Sequence, residues 1–287
     1  MFAVFKHELK NYFHCYTGYV FGSFLLVIVG IGSMLYNLQA AVSNFEYVLS
    51  FSSIIYVVIV PLLTMRVIAE ERKQKTDQLL YALPLTMGQV VIGKYAALLV
   101  VYLIPISIIS VYPLLFSFFG DVYLPVAYGS IFATFLMGAA FIAIGVFISS
   151  LTENQGMAAG LGVAVILFNY FNVNLSEYVS STAMGSLLAI ILIIVMLGWL
   201  CRFLTKNIQL GFGCVLVLIT ITCIVYIADQ SKFEGLLPSV MKQLSLFERL
   251  NTFVSGVFDM TAVTYYLSVI VFFLFLTIQS LEKRRYN

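Results

Sequence analysis

The 287-residue chain is 62% apolar and only 10% charged, with 15 Lys and Arg, 13 Asp and Glu and a net charge of +2. Soluble globular domains have about 25% charged residues, so this composition excludes an ordinary soluble protein. The segments outside the apolar stretches are too short for a separate soluble enzyme domain.

The N-terminus predicts an amphipathic helix over residues 1–14. Apolar residues recur near a helical period in Met1–Phe13, and Lys6, His7 and Lys10 lie between them. Such a helix is expected to lie on the inner membrane face. A cleaved signal peptide is the alternative, because Lys6 and Lys10 precede the apolar run Val20–Ile31.

Eight stretches without Asp, Glu, Lys or Arg are long enough to cross a bilayer, which takes about 20 residues as a helix. They are 11–45, 47–65, 95–120, 122–152, 154–176, 178–201, 207–228 and 260–281. Continuous apolar runs such as Ala96–Ile104 indicate helices, since barrel strands alternate apolar and polar residues. The sequence therefore predicts an all-α integral membrane protein with about eight transmembrane helices in a single domain, 1–287.

The few charges indicate orientation. Twelve of the 15 Lys and Arg residues fall on the cytoplasmic side if both termini are cytoplasmic. The basic residues form no run that could track phosphates, so no nucleic acid is expected as a partner. The span interiors carry essentially no charge, which argues against a proton-coupled carrier or a channel with charged rings.

A cytoplasmic segment, Arg66–Gln89, lies between the second and third spans and contains the densest mixed charges. Thr76 is a candidate N-cap, Leu79 and Leu80 give an apolar face and Pro84 ends the pattern, so a short helix is expected within 69–84. The charges fit either a solvated loop or a contact with a cytoplasmic partner.

Catalytic and metal motifs are weak. Gly88–Lys94 has the spacing of a phosphate-binding loop, but Tyr95 stands where Ser or Thr is required and no strand precedes it. The four Cys residues have no zinc-ligand spacing. The chain is therefore expected to bind no metal or cofactor and not to be an enzyme by itself.

The outer side contains one long connection, residues 229–260, whose apolar clusters predict short helices that dip partly into the membrane. Near the outer end of the fifth span, Phe168, Tyr170 and Phe171 are candidates to line a translocation path. Lipid-facing bulk is the alternative interpretation of these aromatic side chains.

Two pairs of glycines four residues apart, Gly18 with Gly22 and Gly156 with Gly160, indicate close helix contacts. In lipid, small residues at this spacing let helix backbones approach each other. The contact is either between two copies of the chain or within one copy.

Two groups of residues resemble the permeases of type-2 ABC exporters. The first is Glu70-Glu71-Arg72, Thr76, Leu79-Leu80, Pro84-Leu85-Thr86 and Gly93-Lys94. The second, Phe247-Glu-Arg249, Gly256-Val-Phe258-Asp259 and Tyr265-Tyr266, is similar to the gliding-motility-type branch of that family. The chain departs from the pattern at Lys75, where the family usually has Gly.

The resemblance implies a bacterial inner-membrane permease that dimerises with a second copy or a homologous permease and works with two copies of a separate ATPase subunit, which binds ATP and Mg. The coupling helix would contact that ATPase; its residues are Glu70, Glu71, Arg72, Lys75, Thr76, Asp77, Leu79 and Leu80. Gly18, Gly22, Gly156 and Gly160 would then lie at the permease dimer interface.

An uncharged interior suits an amphipathic, lipid-like or peptide substrate, and an extracytoplasmic accessory protein is a further candidate partner. The alternative function is a non-transporting ABC-type assembly that performs mechanical or signalling work on an extracytoplasmic partner. A self-contained secondary carrier is disfavoured, because the sequence shows neither an intramembrane ion site nor an internal repeat.

Overall fold

The computed structural model describes residues 2–76, 86–179, 182–205, 215–220, 222, 224–226 and 229–285. These residues are predominantly helical and include no β-strand, which confirms the all-α prediction. The helices are α1 (Phe2–His14), α2 (Thr17–Ser33), α3 (Glu46–Ser52), α4 (Tyr56–Thr64), α5 (Ala69–Lys73), α6 (Met87–Ile109), α7 (Val111–Ser117), α8 (Leu124–Leu151), α9 (Gln155–Tyr178), α10 (Ala183–Thr205), α11 (Leu236–Leu244), α12 (Leu246–Val254) and α13 (Met260–Arg285).

Six described helical segments are long and apolar enough to cross a membrane, so the chain is a multi-pass membrane protein. They are Thr17–Gln39, Glu46–Lys73, Met87–Ser117, Leu124–Leu151, Gln155–Tyr178 and Met260–Arg284. Where the sequence predicts a further pair, the structure has two shorter apolar stretches, Ala183–Leu192 and Val215–Tyr226. The count of eight spans stays a prediction.

Side-chain caps fix where three of the long helices begin. Thr86 Oγ1 accepts the Gln89 N–H at 3.3 Å before α6, and Asn154 Oδ1 accepts the Gly156 N–H at 2.9 Å before α9. Asp259 Oδ1 accepts the Thr261 N–H at 2.8 Å at the start of α13. Each cap satisfies a helix N–H that has no partner within the helix.

Helix α8 forms the centre of the apolar core. It is apolar on all sides, as expected for a helix surrounded by other helices, and α4, α6, α12 and α13 pack around it. Gly138 and Gly145 lie where Tyr102 and Thr64 approach its backbone. The Tyr102 hydroxyl donates to the Thr134 carbonyl at 2.8 Å and pairs with the Tyr56 hydroxyl at 2.9 Å.

By its internal contacts the chain divides into two units, Met1–Tyr170 with Leu246–Asn287, and Phe171–Ser245. The first unit contains the core around α8 and the segment after α4. In the second unit, the Asn172 amide donates to the Met241 carbonyl at 2.8 Å. The expectation of one domain over 1–287 stays a prediction.

Candidate functional site

A buried ion cluster lies at the start of α6, and Lys94 is its centre. The Lys94 side chain is only 2% exposed although it carries an ammonium group. Its Nζ lies 2.5 Å from Glu8 Oε1, 2.6 Å from Glu71 Oε1 and 3.1 Å from the Val67 carbonyl oxygen. An ammonium has three N–H donors, so these three acceptors match its full donor capacity.

Glu8 reaches the cluster because it lies on the apolar face of α1. Phe5, Leu9 and Tyr12 recur on this face at helical spacing, and Glu8 falls between them. Since α1 packs this face against α6, the Glu8 carboxylate is buried where Lys94 can neutralise it.

The neighbouring Tyr12 phenol is held neutral. Burial raises its pKa well above the ordinary value, and the Glu8 and Glu71 carboxylates raise it further by disfavouring a second negative charge nearby. Tyr12 therefore contributes packing rather than charge to this region.

Glu71 is placed by the short helix α5, whose N-terminus is bound by Ser149 near the C-terminal end of α8. The Ser149 hydroxyl oxygen accepts the N–H groups of Ile68 at 3.2 Å and Ala69 at 3.1 Å, and it donates to the Met65 carbonyl at 3.2 Å. These bonds satisfy N–H groups that a helix cannot satisfy itself. The segment after α4 is thus attached to α6 through Lys94 and to α8 through Ser149.

The residues predicted to contact the ATPase separate into inward and outward sets. Glu71 binds Lys94, and Arg72 is buried. Glu70 is half-buried and Lys75 is exposed. The Thr76 hydroxyl donates to the Glu71 carbonyl at 3.2 Å. Asp77, Leu79, Leu80 and Pro84 lie outside the described residues, so the helix expected there stays a prediction.

The glycine pairs differ in their surroundings. A Cβ at Gly18 would lie 3.5 Å from Val101, and one at Gly22 would lie 3.9 Å from Pro105, both in α6 of the same chain. Packing within one subunit therefore accounts for this pair. Gly156 and Gly160 are exposed, and a Cβ at Gly160 would meet nothing within 4 Å.

The three aromatic residues near the end of α9 have different surroundings. Phe168 and Phe171 are exposed. The Tyr170 ring packs edge-on against Phe247 with centroids 5.1 Å apart, and it also lines a cavity of about 410 Å³ with Tyr36 and Tyr47. Of these three candidates, Tyr170 is the one that packs against the apolar core. A translocation path lined by all three side chains stays a prediction.

Helix α12 belongs to the predicted outer segment and packs along α8. The Phe247 and Phe141 rings are 5.1 Å apart, and the Ser130 hydroxyl donates to the Phe253 carbonyl at 3.2 Å. The Tyr266 hydroxyl of α13 donates to the Leu246 carbonyl at 2.8 Å. The helix therefore starts level with the middle of α8 and runs towards the N-terminal end of α8.

The structure locates two features noted in the sequence, the Gly88–Lys94 spacing and the charge nearest to a span. The phosphate-loop spacing Gly88–Lys94 lies wholly within α6, and the Lys94 ammonium is bound by carboxylates, which agrees with the rejection of a phosphate-binding loop. Lys94 lies about two turns after the start of the 31-residue segment Met87–Ser117, close to one end of that span.

Sequence reasoning missed two contacts: the ion pair of Glu8 with Lys94, and the hydrogen bonds of Ser149 to the N-terminus of α5. Two signals were available: Glu8 interrupts the apolar face of α1, and Lys94 interrupts the apolar face of α6. Each is an ionisable residue in a position where burial requires a partner of opposite charge. Within the residues that the structure describes, no group of three or more His, Cys, Asp or Glu side chains is arranged to hold a metal ion.

The described residues form a helical, multi-pass membrane protein in which the segment after α4 is fixed to the core. The profile of the family described as ABC-2 family transporter protein matches residues 4–186, and the chain belongs to this family. It is thus the permease subunit of an ABC transporter, a type of subunit that pairs with an ABC ATPase. No curated protein shows significant similarity to the chain.

Proposed function

We propose that the chain is the permease of a bacterial inner-membrane exporter that moves an amphipathic, lipid-like or peptide substrate, driven by two copies of a separate ATPase. In this proposal two permease copies pair, both termini are cytoplasmic and ATP with Mg binds the ATPase. A gliding-motility-type permease is the branch that the C-terminal motif favours.

The observation that carries the proposal is the position of α5. It ends the second span-length segment, Glu46–Lys73, and leads into a turn. The side chains of Lys73, Gln74 and Lys75 at this end are exposed. Its first residues are fixed to α8 by Ser149. The exposed side chains of this short segment are charged or polar, and its N-terminus is hydrogen-bonded to the core. Such a segment is suited to be displaced by a cytoplasmic partner.

The body of the protein supports an amphipathic substrate. A cavity of about 540 Å³ is lined mainly by apolar side chains, among them Leu38, Leu115, Phe116 and Phe119. Helix α12 starts level with the middle of α8 and has an apolar face of Phe247, Leu250 and Phe253. In the proposal this helix re-enters the membrane from the outer side.

The test is co-purification of the permease with an ABC ATPase from the same genome, followed by ATP hydrolysis and probe movement in proteoliposomes. The double variant Lys73→Glu, Lys75→Glu should weaken ATPase association, because it reverses the charge of the exposed turn. Lys242→Glu is the matched control, since this exposed lysine lies in the predicted outer segment.

The transport step is measured with a fluorescent phospholipid analogue and a fluorescent amphipathic peptide as separate probes. Movement of either probe that requires Mg and ATP supports the exporter. ATP hydrolysis by the complex without movement of either probe supports the mechanical or signalling assembly instead. Equal ATPase association of the Lys73, Lys75 double variant and wild type would refute the assigned docking turn.

A further inference from the structure

We propose that Lys94 is a positioning residue that joins α1, α5 and α6 into one moving body, so that a displacement of α5 is delivered to the start of the third span. The inference rests on the proposed function, because it concerns how a movement of the ATPase displaces α5 and, through it, the third span. It assigns to Glu8, Glu71 and Lys94 a role inside the permease.

The first support is the distribution of acceptors around the ammonium. Glu8 lies 86 residues before Lys94, Glu71 lies 23 residues before it, and Val67 lies 27 residues before it. The two carboxylates are carried by α1 and α5, so a single side chain ties two elements to a third. With all three donors directed to these acceptors, Lys94 cannot follow one partner without moving the others.

The second support is the cost of separating these charges. Lys94 is 2% exposed, and the Glu8 side chain is 11% exposed. Charges in such surroundings are strongly penalised when a partner is withdrawn, whereas exposed ion pairs contribute little. The cluster therefore favours motion of the three elements together over motion of α5 alone.

The third support is that the N-terminus of α5 is also fixed by hydrogen bonds. Ser149 binds the N–H groups of Ile68 and Ala69, and Ser149 belongs to the buried helix α8. A push on the exposed turn after α5 thus reaches α6 through Lys94 and α8 through Ser149. Both helices belong to the core of the same unit.

This arrangement changes the role of one predicted coupling residue. The Glu71 carboxylate faces its own chain, where Lys94 holds it at 2.6 Å. In the native complex Glu71 therefore acts through Lys94, and the exposed side chains of Lys73, Gln74 and Lys75 form the outer surface of the segment.

Two variants separate positioning from simple stabilisation. Lys94→Met leaves the buried Glu8 carboxylate and the partly buried Glu71 carboxylate without their shared cation, and it is expected to lower stability as well as to release α5. The triple variant Glu8→Met, Glu71→Met, Lys94→Met removes all three charges with side chains of similar length. Neutral replacement of a buried ion cluster often preserves stability, so the triple variant keeps the fold while it removes the connection.

The control variant is Glu153→Gln, which removes the ion pair of Glu153 with Arg284. This pair is exposed and its atoms are 3.5 Å apart, so its loss should change neither the fold nor the connection. All variants are compared with wild type in lipid nanodiscs by amide hydrogen exchange, with and without the ATPase bound. Thermal unfolding of each sample reports whether the fold is retained.

In the triple variant the amides of α1 and of residues 67–76 should exchange about tenfold faster or more, with an unfolding temperature close to that of wild type. In the reconstituted complex, ATP hydrolysis should continue while probe moved per ATP hydrolysed falls about tenfold. Wild-type exchange and wild-type probe movement per ATP in the triple variant would overturn the proposal.

The failure of this inference and that of the proposed function are distinguishable. If wild-type permease binds no ATPase, the proposed function fails, and the exchange measurement on the permease alone still reports whether Lys94 holds α1 and α5 together. If wild type binds the ATPase and moves the probe but the triple variant does so equally well, the positioning role fails and the function stands.

Discussion

Lys75 adopts a backbone conformation that suits glycine better than lysine. Its φ is +56°, in the left-handed region where a Cβ approaches the carbonyl oxygen. The residue lies in the turn that ends the helical segment after α4. The family pattern that the sequence resembles has glycine at this position, and the observed φ gives a physical reason for glycine there.

Replacing Lys75 should therefore stabilise the turn. We expect Lys75→Gly to raise the free energy of unfolding by about 1 kcal/mol, because it removes the penalty of the left-handed conformation. Lys73→Gly, two residues earlier in α5, should lower it by about 1 kcal/mol, because glycine disfavours a helix. Denaturant unfolding of both variants measures these changes in the free energy of unfolding, which should have opposite signs. Changes of the same sign would contradict the explanation by backbone strain at Lys75.

Gly138 is required by the close approach of Tyr102 to α8. A Cβ at this position would overlap the Tyr102 hydroxyl and ring. Tyr102 cannot retreat freely, because its hydroxyl is bonded to Thr134 and Tyr56 and its ring stacks on Phe135 with centroids 5.5 Å apart. The glycine thus sets the distance between α6 and α8.

We expect Gly138→Ala to destabilise the protein by about 1–3 kcal/mol, the usual cost of overpacking a core. Gly129→Ala is the matched control in the same helix, since a Cβ there meets nothing within 4 Å. That control should be neutral or slightly stabilising, because alanine favours a helix. Unfolding temperatures of the two purified variants in one detergent give the comparison.

Helix α5 is too short to be stable by its own hydrogen bonds. It contains five residues, fewer than isolated helices need in water. Its position depends on two attachments outside itself, the Ser149 hydroxyl and the Lys94 ammonium. An element of this kind moves when its attachments move, which is the property a coupling segment needs.

Ser149→Ala should cost about 1–3 kcal/mol, because it leaves the buried N–H groups of Ile68 and Ala69 without their acceptor. Ser150→Ala is an adjacent control: Ser150 is equally buried, and its hydroxyl has no hydrogen-bond partner among the described residues. Hydrogen exchange at residues 67–74 should accelerate in the first variant alone. Similar acceleration in both would show that α5 is held elsewhere.

If two permease copies pair as proposed, exposed glycines on a membrane helix are candidates for their interface. Gly18 and Gly22 face α6 of their own chain, so they are already used in packing. Gly156 and Gly160 are exposed at the start of α9. Exposed small residues on a membrane helix allow a second helix to approach closely.

Gly160→Leu should weaken pairing of permease copies about tenfold without unfolding either copy, since Gly160 is exposed and a Cβ there meets nothing within 4 Å. Gly30→Leu is the control, because Gly30 also has open space around it but lies in α2. Energy transfer between labelled copies in lipid vesicles measures the paired fraction. An unchanged fraction in Gly160→Leu would place the interface elsewhere.

The apolar stretches predicted the six long helices well, because a membrane imposes length and composition on each span separately. The amphipathic pattern similarly predicted α1 to within a residue at its start. The charges after α4 predict a contact with a cytoplasmic partner within 69–84, and this contact stays a prediction. The direction of each side chain was not predictable, as Glu71 shows by facing Lys94 rather than outwards.

The sequence alone determined the class of the protein, because hydropathy and helical periodicity are local properties that a run of about 20 residues expresses by itself. The tertiary structure decided which residues meet. Glu8 and Lys94 are 86 positions apart, and only the packing of α1 on α6 brings their charges within 2.5 Å. Burial then makes this contact obligatory, because neither charge is stable in an apolar interior without the other.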